Sequence, residues 1–148
     1  MRELGMKLYT IGFTKHTAEE FFEKLKTAGV KQLIDIRINK TSQLAAFAKG
    51  SDLPYLLNRT VGIGYLSKSE LAPTKELLKG YRSKAITWEE FAAKYRNQIA
   101  ESKALLGLNK SDFEDSCLLC SEETPEKCHR RLLAEELTKF WELDIIHL

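Results

Sequence analysis

Residues 7–37, KLYTIGFTKHTAEEFFEKLKTAGVKQLIDIR, place an amphipathic segment between two β-rich runs. That alternation decides the fold. Lys7–Phe13 reads as a strand that closes at Gly12. Thr17-Ala18-Glu19-Glu20 has capping-box spacing, a hydroxyl followed three residues later by a carboxylate. A helix follows with Phe21, Phe22 and Leu25 facing inward, and Gly29 stops it. Lys31–Arg37 is a second strand. Its nearly continuous apolar run is that of a strand covered on both faces. Strand, helix and strand in about 30 residues make a right-handed βαβ unit.

The same alternation continues outward. Ser42–Lys49 and Leu53–Thr60 read as short helices, Gly62–Leu66 as a third strand, and residues 67–86 as loop plus a short helix around Thr74–Leu78. Thr87-Trp88-Glu89-Glu90 is a second capping box, followed at helical spacing by Phe91, Ala92, Tyr95 and Ile99. Ser116–Cys120 is a short buried strand. Thr124 and Pro125 have the chemistry of an N-cap and a first turn, which predicts a helix from there to about Trp141. Leu143–Leu148 closes the chain as a strand. The expectation is one α/β domain over 1–148: three layers, a mostly parallel sheet, helices on both faces.

Composition excludes several function classes. The chain has 148 residues, 43% hydrophobic and 30% charged, with a formal net charge of +2 and interspersed signs. This is not the balance of a strongly basic nucleic-acid binder. No apolar run reaches the ~18 residues that a membrane span requires. The three cysteines, Cys117, Cys120 and Cys128, are an odd count, and no basic segment leads into an apolar run at the start. The expectation is reduced thiols in a cytoplasmic protein without a membrane partner. Cys117 and Cys120 lie three apart on a strand, so their side chains point to opposite faces.

Ligands of parallel α/β sheets bind at the carboxyl ends of the strands. Three segments deliver polar groups there: Thr10 and Gly12 from the first strand, Asp35, Arg37 and Ser42 from the second, and Cys120 and Glu122 from the fourth. Asp is disfavoured inside strands, so Asp35 stands out, either in a site or in a structural ion pair with Arg37. On a helix whose buried face centres on Leu133, Leu137 and Phe140, His129 and Arg130 fall in the apolar arc and Arg131 points away. A buried Arg needs a partner or an anionic ligand, and Asp35 and Glu122 are candidates. His129 reads either as an acid/base or as a core histidine bonded to a backbone carbonyl.

These residues carry a resemblance. Thr10-Ile11-Gly12, Leu33-Ile34-Asp35-Ile36-Arg37 and the run from Cys120-Ser121-Glu122 to Cys128-His129-Arg130 resemble the motifs of the domain of unknown function 488 family. Phe13-Thr14 and Asn39-Lys40 depart from the family's common residues. The resemblance implies an α/β fold and a shared polar site, and it brings no established activity. LIDIR is also similar to a strand of rhodanese-like domains, whose catalytic Cys ends a later strand as Cys120 does. Against that, Ser121-Glu122-Glu123-Thr124-Pro125 is acidic and lacks the glycine-rich amide cradle of such a site.

Two functional classes follow. In the first, an enzyme acts on a nucleotide-like or other anionic substrate. Asp35, Glu122 and His129 are its catalytic residues, and Thr10, Gly12, Arg37, Ser42, Cys120 and Arg130 hold the substrate. Thiol chemistry at Cys120 is its minor variant. In the second, a non-catalytic module binds a nucleic-acid phosphate or another anion, with Lys15, Arg59, Lys68, Lys79, Arg82 and Lys84 as a basic rim. No cofactor is expected. No metal is expected either, because adjacent Cys128 and His129 would diverge by ~100° on a helix.

Overall fold

The computed structural model describes residues 6–38, 48–120 and 128–148. Its sheet has five parallel strands: β1 (Met6–Gly12), β2 (Gln32–Asp35), β3 (Gly64–Ser67), β4 (Ser116–Cys120) and β5 (Leu143–His147), in the order β3-β2-β4-β1-β5. The helices are α1 (Ala18–Ala28), α2 (Leu53–Thr60), α3 (Lys75–Arg82), α4 (Trp88–Ser102), α5 (Lys110–Phe113) and α6 (His129–Leu137). No helix among the described residues is long and apolar enough to cross a membrane.

Strand order and crossover hand assign each helix to a face. The chain moves one way along the sheet from β1 through β2 to β3, then reverses through β4 to β5. Right-handed crossovers put the helices of the two directions on opposite faces. One core accordingly joins Phe21, Phe22 and Leu25 of α1 and Leu53 and Leu57 of α2 to Tyr9, Ile11, Leu33 and Leu119 of the sheet. The other joins Phe91, Tyr95 and Ile99 of α4 and Leu132, Leu133 and Leu137 of α6 to Leu8, Ile34, Ile36 and Leu118. The strand β4 lies between β2 and β1 and is buried throughout.

Local signals explain where the helices begin. Both capping boxes form, at Thr17/Glu20 and Thr87/Glu90. Thr74 caps α3, which runs to Arg82 and so extends beyond the expected Thr74–Leu78. The short helix α5 was not expected; Asn109 caps it.

Two expectations need correction. The last helix starts at His129 and not at Pro125, because Cys128 is its N-cap with extended backbone (φ −136°, ψ 142°). It also stops at Leu137, short of Trp141, so Phe140 leaves the buried face and is 57% exposed. Pairing in β2 ends at Asp35, two residues before Arg37. Residues 42–47 of the expected helix over 42–49, with Thr124 and Pro125, lie outside the described residues.

Gly29 ends α1 at φ 75°, and a Cβ there would meet nothing within 4 Å. Only the backbone conformation would resist a side chain. Gly29→Ala should therefore lower unfolding free energy by about 1–2 kcal/mol in urea titration, with an unchanged slope.

Candidate functional site

The carboxyl edge of the sheet carries polar groups on both faces. Neighbours in a parallel sheet share a face, and β4 pairs Leu119 with Asp35 while β1 pairs Gly12 with Cys120. Asp35 therefore sits on the α1/α2 side, and Cys120 on the α4/α6 side. The candidate residues expected to form one site divide into two clusters, back to back.

On the α1/α2 side, Arg37 donates to Asp35 twice, from Nε to Oδ1 at 2.9 Å and from Nη2 to Oδ2 at 2.8 Å. The backbone N–H of Arg37 adds a third bond to Oδ1, and the Tyr65 hydroxyl donates to Oδ2 at 2.5 Å. The guanidinium also lies over the Phe13 ring, 5.3 Å from its centroid. Both charges are buried. Burial and the neighbouring Asp35 carboxylate push the Tyr65 hydroxyl well above its usual pKa, so it stays a donor. With its fork committed to Asp35, Arg37 has the geometry of the structural ion pair.

On the other side, three soft side chains converge. The Cys128 thiol donates to Cys120 Sγ at 2.7 Å, and Cys120 Sγ lies 3.4 Å from His129 Nδ1. His129 Nε2 lies 2.9 Å from the Ile36 carbonyl oxygen. A carbonyl only accepts, so Nε2 carries the proton and the neutral ring presents a Nδ1 lone pair to Cys120. Tyr95 packs edge-on against the ring, held by its hydroxyl bond to the Leu71 carbonyl at 2.5 Å. Burial works to lower the His129 pKa. The Cys120 sulfur and the Ile36 carbonyl outweigh it, and the ring is held above the usual histidine value. Burial and the bond to Cys120 push the Cys128 thiol well up, so it stays protonated. Arg130, fully buried in the first turn of α6, opposes both shifts on His129 and Cys128.

The remaining candidates fall as follows. Gly12 lies beside Cys120 in the sheet, and Thr10 Oγ1 contacts His147 Nδ1 on β5 at 2.5 Å. Ser42 and Glu122 lie outside the described residues. Cys117 belongs to the α1/α2 core, and burial raises its thiol far above the ordinary value. The suggested basic rim is spread over both helical layers, with Arg59 on α2 and Lys79 and Arg82 on α3. Sequence reasoning leaves Tyr65 unmarked, places Tyr95 only on a helix's inward face, and weighs Cys128 only as a metal ligand that it then sets aside. Cys128 had a signal, its place beside His129, but was read as a helical residue diverging from it. Because Cys128 is an extended N-cap, the ligand atoms of Cys120, Cys128 and His129 all lie within 4.8 Å of one another. The ~100° argument against a shared metal ion therefore does not hold; among the described residues, these three could hold a soft cation.

The family model described as Domain of unknown function DUF488 matches residues 17–137. That span contains Asp35, Arg37 and Tyr65 of one cluster and Cys120, Cys128 and His129 of the other, while Thr10, Gly12 and Phe13 lie before it. No curated protein and no solved structure matches the chain.

Breaking a buried ion pair strands a charge and costs roughly 3–5 kcal/mol. Asp35→Asn and Arg37→Met should each lose about that much in thermal melts or urea titration. Tyr65→Phe, which removes one donor to a carboxylate that keeps its others, should lose about 1–3 kcal/mol. Equal small losses in all three would mean the pair is not closed on itself.

Proposed function

We propose, for a chain that belongs to the Domain of unknown function DUF488 family, a thiol enzyme in which Cys120 attacks a small, anionic, electrophilic substrate. The observation that carries this reading is the Cys120 Sγ–His129 Nδ1 contact of 3.4 Å, with the ring's other nitrogen fixed on the Ile36 carbonyl. A nucleophilic cysteine needs a base within reach and a third group that orients the base. His129 is the base and Ile36 the orienter.

Among the described residues, three groups favour a thiolate on Cys120 against the cost of its burial. The imidazole takes the proton, the Cys128 thiol donates to the sulfur, and the first turn of α6 brings amide dipoles and the Arg130 charge. A helix N-terminus contributes about 0.3–1 kcal/mol to a nearby anion, and more when buried. The same positive field draws an anionic substrate group, the role expected of Arg130. A positioned base supplies about 10²–10⁴ in rate.

Asp35 and Arg37 act here as positioning residues. Asp35 accepts from the Arg37 N–H, and the Ile36 N–H donates to the Leu119 carbonyl at 3.2 Å. The peptide whose carbonyl holds His129 is thus pinned on both sides.

Alkylation of the native protein tests the reading. Cys120 should react with iodoacetamide ahead of Cys117 and Cys128, and anionic iodoacetate should gain on iodoacetamide relative to a free cysteine. His129→Gln should slow Cys120 alkylation by about tenfold or more. If Cys120 reacts no faster than Cys117, or His129→Gln leaves its rate unchanged, the reading fails.

A further inference from the structure

We infer that Cys120 and Cys128 form a reversible intrachain disulfide, making the site a two-electron redox couple whose oxidant is a hydroperoxide. The inference rests on Cys120 being the nucleophile and assigns a role to the thiol beside it, which the preceding reading leaves as a hydrogen-bond donor.

The two uses of a close thiol pair ask for different sulfur separations. The sulfurs are 2.7 Å apart. A disulfide requires about 2.05 Å, an approach of roughly 0.6–0.7 Å. A tetrahedral ion with sulfur ligands at about 2.3 Å would require roughly 3.8 Å, so the pair would have to open by about 1 Å. The Arg130 guanidinium, within electrostatic reach of both Cys128 and His129, also opposes a second cation. Proximity permits either use, and the Arg130 charge favours bond formation over metal binding. Cys120 ends the central strand and Cys128 caps the start of α6, so each cysteine is held by an element of the core. Cys117 points into the other core and takes no part.

The chemistry balances with a hydroperoxide, a small oxidant of the kind that two buried residues, Cys120 at 3% and Cys128 at 2% exposure, can admit. The Cys120 thiolate attacks the terminal oxygen of R–O–O–H, and the O–O bond breaks. The alkoxide leaves with the proton held on His129 Nδ1, giving R–OH and a sulfenic acid on Cys120. The Cys128 sulfur then attacks Cys120 Sγ. The S–O bond breaks, and hydroxide leaves with the Cys128 proton as water. Two thiols are oxidised and one peroxide is reduced. An external thiol returns the pair to its reduced form by exchange.

The test treats the reduced full chain with stoichiometric hydrogen peroxide and maps its peptides without reduction. The expected product is one intrachain bond between Cys120 and Cys128, reversed by dithiothreitol, with Cys117 free. In Cys128→Ser, a dimedone-trapped sulfenic acid should accumulate on Cys120, which also shows that the nucleophile survives without its partner. Over-oxidation of Cys120 in the wild type while Cys128 stays free would overturn the inference and leave the thiol-enzyme reading standing. A bond involving Cys117, or a tightly held zinc ion that protects both thiols, would also overturn it. Absence of any Cys120 oxidation in both proteins would sink both readings.

Discussion

The hydrogen bond from His129 Nε2 to the Ile36 carbonyl ties the two motif-bearing ends of the chain together. The residues are 93 apart in sequence and 2.9 Å apart in space. The bond decides which ring nitrogen carries the proton, and therefore whether Cys120 faces a lone pair. An imidazole released from that carbonyl would be free to choose the other tautomer, and Cys120 would face an N–H. Two features hold the carbonyl in place. The Ile36 N–H is bonded to β4, and the Asp35–Arg37 pair closes over the next residue. The buried ion pair thus acts on the thiol site through one peptide unit, from the opposite face of the sheet.

The topology explains why this meeting happens at the end of β4. The helices after β1 and β2 cover one face, and those after β3 and β4 cover the other. The loops leaving neighbouring strands therefore part to opposite faces around β4, and such switch points open ligand sites at strand carboxyl ends. Cys120 is the last residue of that strand, and α6 returns over it with its N-terminus first. A reactive sulfur in that position gains from the dipole and from Arg130 without needing a glycine-rich amide loop. The sulfur is buried among groups that are each partnered, so its reactivity is set by three neighbours rather than by solvent.

Much of this was readable from local chemistry. Capping boxes, Gly29 and the apolar runs are decided within a few residues, and they located α1, α4 and the strands. Burial of His129 and Arg130 followed from helical phase alone. What depended on distant partners was not readable. Nothing local marks Tyr65 as the donor to Asp35, or His147 as the neighbour of Thr10. Residue type also misled in one place. Thr124-Pro125 has the chemistry of a helix start, whereas Cys128 is the N-cap. That shift of the helix start turns Cys128 from a residue diverging from His129 into one that converges with it on Cys120. Strand parity, applied to Asp35 and Cys120, would have placed them on opposite faces only once the β2–β4 register was known.

The central claim is that the strand backbone holds His129 as the base of Cys120. Long-range proton–nitrogen correlation spectra of the labelled protein read the histidine state directly. The account predicts that His129, in its neutral form, carries its proton on Nε2, and that Cys120→Ser lowers its pKa, since the Cys120 sulfur is what raises it most. A neutral ring protonated on Nδ1, or a titration unchanged by Cys120→Ser, would contradict it.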